Sequence, residues 1–192
     1  MKKRTRLLLV LVFLGFVVVS GWVYFRYTFD LLEPNFKFEL AKKDIDAKVT
    51  AIDNSTELKV FKLNNNQLLD MLGGPVYDNG RELTGYFKNG NIQKIFDEIG
   101  LSFGPRRFVY YFDNNKLIYA QEAEEDYFRN QDGGTDYEKP LIKVFNASYF
   151  FSNGKLIDQI TEGKRVFTNN IDSKDIQKDV KEDLDLLNKQ YH

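Results

Sequence analysis

Apolar and polar positions alternate along this chain in three distinct ways, and each predicts a different element. Leu7 to Phe25 is a run of 19 residues without a charge, 14 of them Leu, Val or Phe. As a helix it would span roughly 28 Å, close to the thickness of a bilayer's hydrocarbon core. Near the bilayer centre those side chains favour insertion by about 4–8 kcal/mol. A second pattern runs through the middle of the chain, where short stretches alternate at the period of a strand. "FKFEL" (Phe36 to Leu40), "AKVTAI" (Ala47 to Ile52) and "ELKVFKL" (Glu57 to Leu63) read as strands, with "DNST" as turn chemistry before the last of them. The third pattern is helical. Ile176, Val180, Leu184 and Leu187 make one apolar stripe on a charged segment, predicting an amphipathic helix over about 173–189 with Asp172 or Ser173 as its cap. A shorter helix is expected around Asn65 to Leu72, with an asparagine as cap and Gly73 as its left-handed exit.

Between these elements one phrase is written three times: "YFKNGNIQKI" from Tyr86, "YYFDNNKLIY" from Tyr110 and "YFFSNGKLID" from Tyr149. Each copy has an aromatic pair, a two-residue reversal and an Ile or Leu shortly after it. The reversals are Asn89-Gly90, Asn114-Asn115 and Asn153-Gly154. A type I′ turn needs positive φ at both central residues, which costs most side chains about 1–2 kcal/mol and asparagine or glycine little. Each copy therefore predicts a hairpin. Asn79-Gly80 in "VYDNGREL" suggests a further one. One hairpin is marginal in water, so several are expected to share one sheet. "RRFVYYF" (Arg106 to Phe112), apolar on both faces, reads as a central strand covered on both sides. The fold class predicted is α+β: an N-terminal apolar helix, then one mostly antiparallel sheet of sequential hairpins with a short internal helix and a C-terminal amphipathic helix. "EAEEDYFRNQDGGTDYEKP", residues 122–140, breaks the rhythm and reads as a long acidic mobile loop.

The "Y-[YF]-x-N-G-x-[LI]" phrase resembles the MORN-variant repeats of bacterial antitoxin-like proteins, whose units follow one another as hairpins of one elongated sheet. The matching positions are Tyr86-Phe87, Tyr111-Phe112 and Phe150-Phe151, the turn pairs, and the apolar residue that follows. The spacing differs from that family's short, nearly fixed period, since 25 residues separate Asn89 from Asn114 and 39 separate Asn114 from Asn153. The phrase is also similar to exported bacterial proteins that carry "YYFDNGKLI" behind a signal segment. Neither resemblance implies catalytic residues. The first implies an immunity or inhibitor role against a toxin acting outside the cell membrane.

Charge adds an orientation. Lys2, Lys3, Arg4 and Arg6 precede the apolar run and are expected to stay in the cytoplasm, which places residues 28–192 outside the membrane. Two outcomes are consistent with residues 1–27: a retained single-pass anchor, with Trp22, Tyr24 and Tyr27 at the outer interface, or a signal cut near Ser20. Beyond the first 26 residues, 28 acidic residues face 22 basic ones, a poor match for nucleic acid or an anionic lipid surface.

Candidate chemistry narrows by elimination. The chain has no cysteine, and its one histidine is His192. A Ser-His-acid set or a histidine-based metal site is therefore ruled out, and no cofactor fingerprint is present. Glu122, Glu124, Glu125 and Asp126 are the candidates for acid–base work by a carboxylate-dependent hydrolase, or else a solvated acidic stretch. Arg106 and Arg107 either bind an anionic partner or guard a strand edge. The rings Tyr86, Phe87, Tyr110, Tyr111, Tyr149 and Phe150 either line a groove for a protein or envelope partner or serve as core and cross-strand pairs. The functional expectation is a membrane-anchored, non-catalytic binding module on the outer side of the membrane.

Overall fold

The three repeats form three hairpins of one sheet, and they share one irregularity. A computed structural model describes residues 17–24, 34–73, 77–130, 132–166 and 173–191. Asn89 and Gly90 have φ of 52° and 79°, Asn114 and Asn115 of 49° and 60°, and Asn153 and Gly154 of 51° and 73°. All three reversals thus have the positive-φ pair of a type I′ turn. Just before each turn the register slips by one residue, at Tyr86/Phe87, Tyr111/Phe112 and Phe150/Phe151. The slip leaves Gln93, Ile118 and Ile157 as the extra residue of a β-bulge. Phe87 then faces Ile92, Phe112 faces Leu117 and Phe151 faces Leu156, and all three rings are buried. The preceding ring of each pair points to the opposite face, as successive strand residues must. An aromatic pair therefore supplies one ring to each side of the sheet.

The chain divides into two units, Met1–Leu40 and Ala41–His192. In the first, residues 17–24 are helical (α1), and α2 (Pro34–Asp53) begins. Among the described residues no helix is long and apolar enough to cross a membrane. Residues 7–16 and 25 of the apolar run lie outside the described residues.

The second unit is α+β. A seven-stranded antiparallel sheet has the order β1-β2-β3-β4-β5-β8-β9. Its strands are β1 (Lys59–Leu63), β2 (Arg81–Lys88), β3 (Asn91–Leu101), β4 (Gly104–Asp113), β5 (Lys116–Asp126), β8 (Ile142–Ser152) and β9 (Lys155–Gly163). A two-stranded ribbon of β6 (Phe128–Arg129) and β7 (Thr135–Asp136) branches off after β5. The strand expected to be central is β4, fourth of seven. Helix α3 (Asn65–Leu72) is capped by Asn64 in a capping box with Gln67 and ends on Gly73 at φ 77°. Helix α4 (Ser173–Tyr191) lies on the face bearing Phe87 and Tyr110. Its Ile176, Val180, Leu186 and Leu187 are buried, and Tyr191 stacks on Phe87 with centroids 3.9 Å apart and rings 7° from parallel. On the opposite face Asp53 of α2 accepts from Tyr111 at 2.9 Å and pairs with Lys94 at 2.6 Å, and Ile45 is buried.

Three expectations are corrected. "FKFEL" and "AKVTAI" belong to α2 and not to strands. No glycine, and no proline after Pro34, interrupts the 20 residues of Pro34–Asp53, and Lys42–Asp46 and Asp44–Lys48 pair at helical i, i+4 spacing. Phe38, Ala41, Ile45, Val49 and Ile52 are the apolar positions that are buried or half-buried, spaced three, four, four and three. Alternation over five or six residues was too short a sample to separate the two periods.

Asn79-Gly80 is no hairpin between strands. Gly80 alone of the pair has positive φ, 83°, and β2 follows it while Tyr77 and Asp78, immediately before the pair, are not in a strand. The pair instead closes the open end of β2–β3: Asn79 N donates to Gly100 O at 3.0 Å, and Gly100 N to Gly80 O at 2.8 Å.

Residues 122–140 are not one acidic loop, because β5 runs through to Asp126 and the β6–β7 ribbon follows. "EAEED" is strand alternation with acids in the inward positions, where guanidinium groups receive them. Helix α4 agrees with the expected 173–189 within two residues, while its cap position Asp172 lies outside the described residues.

Candidate functional site

The face under α4 and the 164–166 segment carries ions as well as rings, an unusual content for a sheet interior. It includes buried Asp97, Arg106, Glu122, Glu124 and Asp183. Buried charges persist only when paired and hydrogen-bonded, and here they fall into two connected groups.

The first group centres on Glu122 of β5. Arg106 Nη2, from the neighbouring strand β4, donates to Glu122 Oε1 at 2.6 Å, and Arg165 Nη2 donates to Oε2 at 2.6 Å. Tyr149 OH donates to Oε2 at 2.9 Å and itself accepts from Arg165. Glu124, one pleat along, accepts from Val166 N at 2.7 Å and lies 3.5 Å from Arg106 Nε. Burial pushes the Glu122 carboxyl up, but Arg165 and Arg106 outweigh it and hold the group below the ordinary glutamate range. Burial beside Glu122 also raises the Tyr149 phenol. Phe108 and Phe145 lie under the Arg106 and Arg165 guanidiniums at 4.6 and 4.5 Å. Every potential acid or base here is neutralised by a partner, an arrangement that locks β4, β5, β8 and the segment after β9 together.

The second group is less complete. Arg81 at the start of β2 grips Asp97 of β3 in a fork, Nε to Oδ1 at 2.7 Å and Nη2 to Oδ2 at 3.0 Å. The same Nη2 donates to Asp183 Oδ1 on α4. One guanidinium thus serves two buried carboxylates. Burial raises Asp183 well above the ordinary aspartate range, with Asp97 adding to the rise and Arg81 opposing it. Asp97 is likewise raised by burial, against the pull of Arg81. Two buried oxygens here have no hydrogen-bond partner, Asp183 Oδ2 and Tyr110 Oη. In native proteins such atoms are few and call for an explanation.

Asp183 is on the wall of a cavity of about 370 Å³. Arg81, Asp97, Ile99, Leu101, Arg106 and Phe108 line it from β2, β3 and β4, Asp179, Glu182 and Asp183 from α4, and Tyr77 from the approach to β2. The sequence places these side chains by strand alternation. Asp97 stands between Ile95 and Ile99 on the inward side of β3, and Asp183 lies three residues past Val180 and four before Leu187 in the buried stripe of α4. Among the described residues no group of three or more His, Cys, Asp or Glu is placed to hold a metal ion.

The candidate residues read from sequence do not make one groove. Phe87, Tyr110 and Tyr149 are core on the α4 face, while Tyr111 and Phe150 are buried on the α2 face. Tyr86 is half-buried on that same face, with Lys94 Nζ 5.6 Å from its ring centre. The pleat divides them, and their role as core and cross-strand pairs replaces the aromatic groove. Arg106 guards no edge; it is buried in the central strand, and only Arg107 is half-exposed, paired with Glu98 and Glu125. Glu122 and Glu124 are not solvated. The carboxylates bordering the cavity, Asp97, Asp179, Glu182 and Asp183, were not singled out from sequence. A legible signal existed for two of them, an acid in phase with apolar neighbours. Comparison with family models, with curated proteins and with solved structures finds no match to this chain.

Proposed function

We propose that this chain is a membrane-tethered, non-catalytic binding module whose folded unit stands on the outer side of the cytoplasmic membrane and takes its ligand in the cavity under α4. The tether and its orientation rest on the uncharged run Leu7 to Phe25 and the four cations before it. The observation that carries the binding reading is the unpartnered buried oxygen Asp183 Oδ2 on the wall of a cavity of about 370 Å³. Its size falls at the lower end of the roughly 300–1,000 Å³ common for ligand sites. A hydrolase built on Glu122 and Glu124 is disfavoured, because Arg106 and Arg165 already occupy those carboxylates.

The absence of cysteine makes topology directly testable. Thr161→Cys on exposed β9 introduces a unique thiol. A membrane-impermeant maleimide applied to intact spheroplasts is expected to label it, and labelling only after lysis would reject the orientation. N-terminal sequencing of the same material separates the retained anchor from cleavage near Ser20.

A further inference from the structure

Building on the binding-module reading, we infer that the cavity under α4 takes a monovalent organic cation, a guanidinium or primary ammonium group, seated against Asp183 with its hydrocarbon stem along Ile99 and Leu101.

Charge balance comes first. The walls carry two guanidiniums, Arg81 and Arg106, against four carboxyl groups, Asp97, Asp179, Glu182 and Asp183. Arg106 is already engaged by Glu122 and lies near Glu124, and Arg81 is shared between two acids. With these carboxyl groups ionised the surplus is negative, so an anionic ligand would meet repulsion and a cation would relieve it.

Hydrogen-bond capacity points the same way. When ionised, Asp183 Oδ2 can only accept, and the side chain is one per cent exposed. Tyr110 Oη is also without a partner, and the charged groups acting on that phenol are Asp183, Asp97, Asp179 and Arg81, all on the cavity wall. A guanidinium or ammonium supplies the charged N–H donors that Asp183 Oδ2 lacks. A divalent metal ion fits poorly, since two guanidiniums share the walls and no three-ligand group is in place among the described residues.

The site also has a protonation signature. Asp183 shares the cavity walls with Arg81 of β2, Asp97 of β3, Arg106 of β4, Asp179 and Glu182 of its own helix, and Tyr77, and it acts electrostatically on Tyr110 of β4. A cation beside Asp183 favours its ionised form, so binding releases a proton and tightens as pH rises through that group's titration.

The test uses the full-length chain in nanodiscs, titrated calorimetrically with methylguanidinium, butylammonium, a short arginine-containing peptide, neutral butanol and anionic butyrate. Binding of the cations with tightening at higher pH is expected, together with a loss of about tenfold or more in Asp183→Asn, the scale of one charge-assisted hydrogen bond. Glu182→Lys, on the exposed rim, loses only a surface pair with Lys178, so it provides a second variant with little burden on folding and is also expected to weaken binding. Binding of the free cations identifies a small amine or guanidine as the source. Binding of the peptide alone identifies a basic side chain of a protein partner. Binding of butanol or butyrate in place of the cations overturns the inference and leaves the binding-module reading standing. Unchanged cation affinity in both variants, or a cavity holding ordered water only while no probe binds, overturns it as well, and the latter removes the cavity from the broader reading.

Discussion

Arg81 and Asp183 meet across 102 residues of sequence, and their hydrogen bond ties the first strand of the first repeat to the closing helix. The same guanidinium holds Asp97, so its removal leaves two buried carboxyl groups without a counter-charge. Arg81→Leu is expected to cost about 3–5 kcal/mol near neutral pH, the range for breaking a buried pair by deleting one partner. Adding Asp97→Asn and Asp183→Asn to that variant is expected to restore part of the loss. Urea unfolding of the three chains followed by near-ultraviolet circular dichroism measures both effects, and an Arg81→Leu chain as stable as the parent would refute the assigned role.

Glu122 and Asp183 are expected to bend the pH dependence of stability in opposite directions. Glu122 titrates below its ordinary 4.5 in the folded chain, so its contribution is present above that value and is lost as pH falls through the folded pKa. Asp183 titrates well above 3.8 when folded, so the folded chain holds a proton that the unfolded chain has released. Stability from that site therefore declines as pH rises from about 3.8 towards the folded pKa. Glu122→Gln should flatten the acid limb, and Asp183→Asn should raise stability at pH 7 relative to pH 4. Melting temperatures across that range decide it; identical profiles for parent and Asp183→Asn would contradict the shift.

The repeat turns are expected to respond to backbone conformation alone. A Cβ added at Gly90 or Gly154 meets nothing within 4 Å, yet φ there is 79° and 73°. Alanine at either position should cost about 1–2 kcal/mol from the left-handed conformation. Asn115 occupies the corresponding place at φ 60°, so Asn115→Gly should be better tolerated than either alanine change. Equilibrium unfolding of the three single variants tests the ordering.

Gly85 lies where Leu187 of α4 packs onto the sheet. A Cβ there would lie 2.7 Å from the Phe87 ring and 3.1 Å from Leu187. Gly85→Ala is expected to overpack this contact at about 1–3 kcal/mol and to loosen α4. Hydrogen exchange over Ser173–Tyr191 should accelerate in this variant, while protection of the β4–β5 pair changes less. Uniform acceleration of both would mean that the contact does not act locally.

What the sequence determined by itself was local. Asn-Gly and Asn-Asn pairs specify reversals because the positive-φ requirement is met within two residues. Asn64, Gln67 and Gly73 define a short helix through bonds that span three or four residues. The stripe of α4 is readable because its period repeats over about three turns, and the aromatic pairs are readable because pleating sends neighbours to opposite faces. Tertiary structure decided everything that depends on distant partners. Alternation in "FKFEL" yielded to a 20-residue helix once Ile45 had a sheet to bury against. "EAEED" became a buried strand because Arg106 and Arg165, the latter 43 residues from Glu122, supply the charge that makes burying acids tolerable. The cavity has the same origin: its carboxylates come from β3 and α4, and no local pattern can state that two acids so far apart in sequence share one arginine.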